Sequence, residues 1–156
     1  MPVDVLTDAT INRPIEEVAS YAADPSNAPE WYANIISADW KTPPPLQRAS
    51  RIKFVARFLG RRLEYTYEVV DFVPGERLVM RTVQGPFPME TTYTWQALAG
   101  GTTRMSIRNR GEPVGFSKVA ARLMTAAIRR ANQKDLENLR SILEQRDVTD
   151  EARSSP

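Results

Sequence analysis

With no histidine and no cysteine in 156 residues, this chain must draw any chemistry from hydroxyls, carboxylates, amides and guanidinium groups. Ser–His triads, imidazole bases, thiolate nucleophiles and the commonest transition-metal ligands are all ruled out. The remaining candidates are concentrated. Read with a period of two, Tyr65 and Tyr67 share a strand face with Leu63 and Val69. Phe87, Met89, Thr91, Tyr93 and Trp95 share another, and Thr103, Met105, Ile107 and Asn109 a third. A buried hydroxyl or amide without a partner costs ~1–3 kcal/mol. A hollow holding water or a ligand would satisfy these groups. In a filled core, each tyrosine would instead have to reach a backbone carbonyl or the rim.

Asp135 is the one carboxylate in the apolar sector of a long helical pattern, one turn from Ala131 and Leu139. Burial there demands a cationic or hydrogen-bonding partner. It reads either as a structural pair at the end of a pocket or as a catalytic acid. No Asp/Glu cluster falls on the inner face, and Gly100-Gly101 joins two alternating strands without opening a helix. The expectation is therefore no metal and no organic cofactor.

The elements that must position these groups follow from the turn signals. Val3 to Ile11 alternates as a half-buried strand, with Leu6 the exception. Asn12-Arg13-Pro14 opens a helix whose inner face is Ile15, Val18, Ala19 and Ala22, and Asp24-Pro25 stops it. A second short helix is predicted over 28–34, capped by Asn27 and carrying Trp31 and Tyr32. Strands are predicted near 35–41, 50–59, 62–73, 76–84, 87–98 and 102–110, separated by Pro43–Pro45, Gly60, Pro74-Gly75, Gly85-Pro86 and Gly100-Gly101. Such short links permit only antiparallel hairpins. From Phe116 to Arg146 no Gly or Pro interrupts a helical pattern, which would run ~45 Å and must lie across the sheet.

This order predicts an α+β fold: a seven-stranded antiparallel sheet around a long C-terminal helix, with two short helices after the first strand. Residues 1–146 form one domain and 147–156 a polar tail. In the helix, Phe116, Val119, Ala120, Leu123, Met124, Ala127, Ile128 and Ala131 read as one broad face. Its first half is rich in small or flexible residues, which adapt to guests. Leu136, Leu139, Ile142 and Leu143 suit dry packing. A pocket is therefore expected under the first half, and closed core under the second.

The opposite sheet face interleaves Arg51, Lys53 and Arg57 with Glu64, Glu68 and Glu90, and further along carries Arg104, Arg108 and Arg110. It reads as a solvated surface with weak cross-strand pairs, or as an anion- or membrane-binding surface if one sign clusters. Net charge is only +2 despite a pI near 9.1, so no nucleic-acid partner is expected. No apolar run of spanning length and no signal pattern occurs, which predicts a cytoplasmic protein with at most peripheral membrane contact.

These motifs together resemble the START-like, Bet v 1-like (SRPBCC) superfamily, in its bacterial polyketide cyclase/dehydrase and lipid-transport branch. The matching stretches are Ile11-Asn-Arg-Pro-Ile-Glu-Glu-Val18, Asp24-Pro25 with Pro29-Glu-Trp31, Val70-Asp-Phe-Val-Pro74 with Arg77-Leu78, Gly101-Thr-Thr-Arg-Met105, and Asp135-Leu-Glu-Asn-Leu139 with Leu143-Glu144. The resemblance covers about residues 3 to 145 and implies the helix-grip fold. It also implies a cavity for lipids, sterols, hormones or polyketides, with cyclase or dehydratase activity in some members. Where related aromatase/cyclases use polar pocket residues, this chain has no His.

The first reading is a carrier of a small, largely hydrophobic lipid-, polyketide- or aromatic-like ligand. The alternatives are a cofactor-free polyketide cyclase/dehydratase and an interaction module for a protein or membrane partner. The expected binding residues are Phe54, Phe58, Tyr65, Tyr67, Met89, Thr91, Tyr93, Trp95, Met105 and Asn109 on the sheet. On the helix they are Phe116, Ala120, Leu123, Met124 and Ala127. No catalytic residue is assigned, and the oligomeric state is open.

Overall fold

The computed structural model describes residues 3–58, 60–112 and 117–154, with side chains described up to residue 146 except that of Lys118. Its elements are β1 (Val3–Ile11), α1 (Ile15–Ala23), α2 (Ala28–Trp31), β2 (Ile35–Trp40), β3 (Arg51–Phe58), β4 (Arg61–Val73), β5 (Arg77–Gln84), β6 (Met89–Leu98), β7 (Thr102–Gly111) and α3 (Lys118–Ser154). All seven strands form one antiparallel sheet in the order β1-β7-β6-β5-β4-β3-β2. Consecutive hairpins build most of it, and β1 closes it by pairing along β7 from Val3↔Gly111 to Ile11↔Thr103. The α+β helix-grip architecture expected from the turn signals is the one observed.

The pairing of the long β4 strand is irregular in two places. Its register with β5 slips between Thr66 and Tyr67, and again between Val69 and Asp71. The extra residue is Val83 of β5 at the first slip and Val70 of β4 at the second, and each bends its own strand and adds twist. The second slip also resets the alternation: Asp71 turns outward to pair with Arg77 at 2.5 Å, while Phe72 turns inward opposite the buried Leu78.

The predicted second helix is shorter and begins differently. A 3₁₀ turn over Pro25–Asn27 precedes α2, which ends at Trp31 because Tyr32 is extended (φ −75°, ψ 123°). Asn27 does not cap it; its side-chain amide donates to the Tyr21 carbonyl at 3.1 Å. Asp24 caps the 3₁₀ turn instead, accepting from the Ser26 N–H at 3.0 Å.

Ser117 starts α3, its hydroxyl accepting from the Ala120 N–H at 3.1 Å. Phe116, where the sequence pattern begins the helix, lies outside the described residues. The helix runs on to Ser154, past the tail boundary expected at residue 147, since the next Gly or Pro is Pro156. It is tied down at the α1/α2 end, where the Asn138 amide donates to the Trp31 carbonyl at 3.2 Å and Glu144 accepts from the Asn12 N–H at 2.9 Å.

Two dry clusters flank the middle of the sheet. The larger joins Ile11, Val18, Trp31, Ile52, Leu78, Leu136, Leu139 and Leu143, all essentially fully buried. Full burial of each such aliphatic side chain contributes ~1.5–3 kcal/mol. The smaller, at the other end, joins Val3, Val5, Phe87, Met89, Met124 and Ile128. The outer face carries the cross-strand ion pairs, including a two-pronged Arg108–Asp4 contact at 2.9 and 2.7 Å. Exposed pairs of this kind add only ~0–1 kcal/mol each. No described helix is long and apolar enough to cross a membrane.

Candidate ligand cavity

Between the two clusters the sheet and α3 part to leave a cavity of about 160 Å³. Register explains much of its wall: β3 sets Phe54 opposite Tyr65 and Ala56 opposite Leu63, while β6 sets Thr91 opposite Asn109 on β7. Rings meet at angles suited to their quadrupoles, with Phe54 edge-on to Tyr67 at 5.8 Å and Tyr65 edge-on to Phe87 at 6.4 Å. Gly85 completes this corner. A Cβ there would stand 2.8 Å from the Tyr65 ring, so the β5–β6 turn can approach Tyr65 only as glycine.

Polar groups gather on the α3 side. Asp135 is 2% exposed and its Oδ1 accepts the Ala33 N–H at 2.9 Å. Burial pushes its carboxyl up to about 7, against the opposing pull of that hydrogen bond and of the Lys134 charge. The expected partner is thus a backbone donor, and among the described residues no ion pair holds this carboxylate. Beside it the hydroxyls of Tyr32 and Tyr93 hydrogen-bond each other. Burial holds both phenols well above the ordinary tyrosine value and raises Tyr67 to about 12. All three therefore stay neutral at physiological pH. Further along the wall the Thr91 hydroxyl donates to Asn109 Oδ1 at 2.6 Å.

Among the described residues, one buried wall group has no partner. Asn132, one turn before Asp135, is 4% exposed, lines the cavity, and its side-chain amide nitrogen makes no hydrogen bond. A buried donor in that state is destabilising by ~1–3 kcal/mol until an acceptor reaches it. The site is thus an aromatic and aliphatic chamber with an unsatisfied donor, a carboxyl near neutrality and a phenol pair at one end.

Of the residues expected to bind, Phe54, Phe58, Tyr65, Tyr67, Met89, Thr91, Tyr93 and Asn109 line this cavity. Trp95 and Met105 face the same side of the sheet but are packed into the larger dry cluster, and Met124 into the smaller. Ala120 and Ala127 are half-buried, and Leu123 is 67% exposed. Phe116 lies outside the described residues. The helix is turned relative to the sequence reading, because Ala121, Met124, Ile128, Asn132 and Asp135 form its inner line. At ~100° per residue Leu123 stands well off that line. The cavity consequently meets α3 at Ile128, Ala131, Asn132 and Asp135, about a turn beyond the expected position.

Several lining residues carry no clear sequence signal. Tyr32 falls within the predicted second helix, which in fact stops before it; Asn34 follows in the same link and Ile35 opens β2. Met80 belongs to a strand whose inner face the alternation does not assign. Asn132 does carry a signal, as a second polar residue three positions before Asp135 in an apolar stripe. A separate, open groove of about 630 Å³ lies on the surface by Trp40, Phe72 and Pro74.

The fold is shared widely. Aromatase/cyclase Zhui from Streptomyces sp. R1128 superposes with a TM-score of 0.81 over 94% of this chain and 96% of its own, at 14% identity. TTHA0849 from Thermus thermophilus does so at 0.77 over 97% and 99%, with 20% identity. A START superfamily protein from Mycobacterium smegmatis gives 0.70 over 92% and 95%, with 16% identity. No curated protein sequence matches significantly. The sequence profile of the polyketide cyclase / dehydrase and lipid transport family matches residues 2–144. With nearly the whole chain matched and the helix-grip fold in place, the protein belongs to that family, within the START/Bet v 1-like SRPBCC superfamily.

Proposed function

We propose that the protein binds a small apolar ligand about one aromatic ring in size, oriented by a hydrogen-bond-accepting head. A hydrophobic-ligand cavity is what family membership implies. The size follows from volume: a dry cavity of roughly 150 Å³ takes up benzene, and this one is about 160 Å³. That favours a single ring over a full acyl or polyketide chain, although Met80 and Met89 in the wall can shift for somewhat larger guests.

The observation that carries the head group is the orphan Asn132 amide. A carbonyl or phenol oxygen placed there satisfies it, with protonated Asp135 and the Tyr32–Tyr93 pair as neighbours. The test is calorimetric titration with acetophenone and with isopropenylbenzene, which matches it in size and carries CH2 in place of the carbonyl oxygen. Acetophenone should bind more tightly, and Asn132→Leu should remove that preference while keeping affinity for isopropenylbenzene. Equal affinities for the two ligands in the native protein would overturn the assignment of the head group.

Asp135 favours a second reading, acid–base catalysis on the bound ligand. A buried carboxyl titrating near 7 can exchange a proton at neutral pH. Facing a ligand carbonyl, it would take a proton from the adjacent carbon while a neutral phenol hydrogen-bonds the oxygen, the first step of a cyclisation or dehydration. Hydrogen–deuterium exchange at that carbon, accelerated by the native protein and lost in Asp135→Asn, is the expected result. Exchange no faster than in buffer would leave the protein a binder.

A further inference from the structure

We propose that the α3 flank beside the cavity, together with Arg61 and Arg62 at the start of β4, docks on an anionic membrane surface. Val119 and Leu123 are 69% and 67% exposed, the most exposed large apolar side chains among the described residues. Spaced by four, they stand one above the other on α3. Single exposed aliphatics are ordinary, but this stripe continues through Ala127 to Ala131, and Ala131 lines the cavity. The stripe therefore runs from solvent to the border of the chamber.

Basic residues dominate the two stretches of sequence beside it, and the nearest acids, Glu68 and Glu64 on β4, pair with Arg51 at 2.9 Å and with Lys53 at 3.6 Å. Residues 51–63 and 113–134 contain ten Lys and Arg and no Asp or Glu. The rest of the chain holds eleven against nineteen, so the molecule is polarised despite a net charge of +2. The strand β3 and helix α3 that carry most of these residues meet where Phe58 packs against the cluster containing Met124 and Ile128. Among the described residues Arg57, Arg61, Arg122, Arg129 and Arg130 form no ion pair, and Arg62 reaches Glu64 only at 3.8 Å.

The chemistry selects the occupant. A second copy bound symmetrically through this face would set arginines against arginines. Two aliphatic side chains are too few for the desolvated centre of a standard protein interface. They suit shallow insertion at a headgroup boundary, with cationic side chains around them among anionic headgroups. Neither exposed residue lines the cavity, so docking goes beyond the ligand reading and stands without it.

The test is co-sedimentation with vesicles of phosphatidylcholine alone and of phosphatidylcholine mixed with phosphatidylglycerol. Binding is expected only to the mixed vesicles, weakening as salt is raised. Arg61→Ala, Arg62→Ala and Arg130→Ala should each weaken it about fivefold, and Leu123→Ser about tenfold or more. These sites are on the surface, and circular dichroism checks that each variant is folded. Folded protein left in the supernatant with both vesicle types, as a surface for an acidic protein would leave it, overturns the proposal. So does equal binding to both vesicles, or variants that bind like the native chain.

Discussion

Asp135 on the last helix accepts the Ala33 N–H at 2.9 Å across 102 positions of sequence. This contact holds α3 against the link between α2 and β2 where Tyr32, Asn34 and, opening β2, Ile35 turn into the cavity. It also leaves a carboxyl buried with no cationic side chain among the described residues paired to it, and the pH behaviour of the protein follows from that.

Because the folded carboxyl titrates near 7 and the unfolded one near 3.9, the folded state keeps a proton that the unfolded chain has released. Stability should therefore fall as pH rises from about 4 to about 7, by up to ~1.4 kcal/mol per unit of separation between the two pKa values. Urea unfolding across that range checks it. Asp135→Asn, which carries no titrating group, should flatten this part of the profile. A native profile that rises through the same window would contradict the burial of this group.

Cavity position can be tested by filling it. Ala131 lines the chamber and Ala127 does not, so Ala131→Trp should abolish uptake of an environment-sensitive apolar dye. Ala127→Trp should change it little. Fluorescence titration of both variants, with thermal melts to show that each is folded, separates the two sites.

The facing of α3 makes a stability prediction. Leu139→Ala removes a fully buried side chain from the larger cluster and should destabilise by about 2–5 kcal/mol. Leu123→Ala, at 67% exposure, should stay within about 0.5 kcal/mol. Comparable losses at the two positions in chemical denaturation would mean a differently turned helix.

Gly85→Ala should act on the cavity through Tyr65. A Cβ at 2.8 Å from that ring must push it, and the edge-on contact with Phe87 goes with it. The expected outcome is displaced Tyr65 and Phe87 ring resonances in NMR spectra and altered dye affinity, with the hairpin retained.

Much of the fold was legible in local sequence because its determinants are local. Gly and Pro punctuation separated the strands, alternation set apart the aromatic and charged faces, and an unbroken helical run marked the element that must cross the sheet. Eight cavity residues on the strands were readable for the same reason, since a strand's side chains have only two directions. The helix was harder. Its inner sector is broad, and only contact with the sheet decides that Asn132 faces the chamber while Leu123 faces water. Tyr32 became a wall residue because α2 ends at Trp31, three positions short of the predicted 34. The properties that matter most belong to no residue by itself: the proton on Asp135 and the missing partner of Asn132 arise from burial, which exists only once distant segments have closed around them.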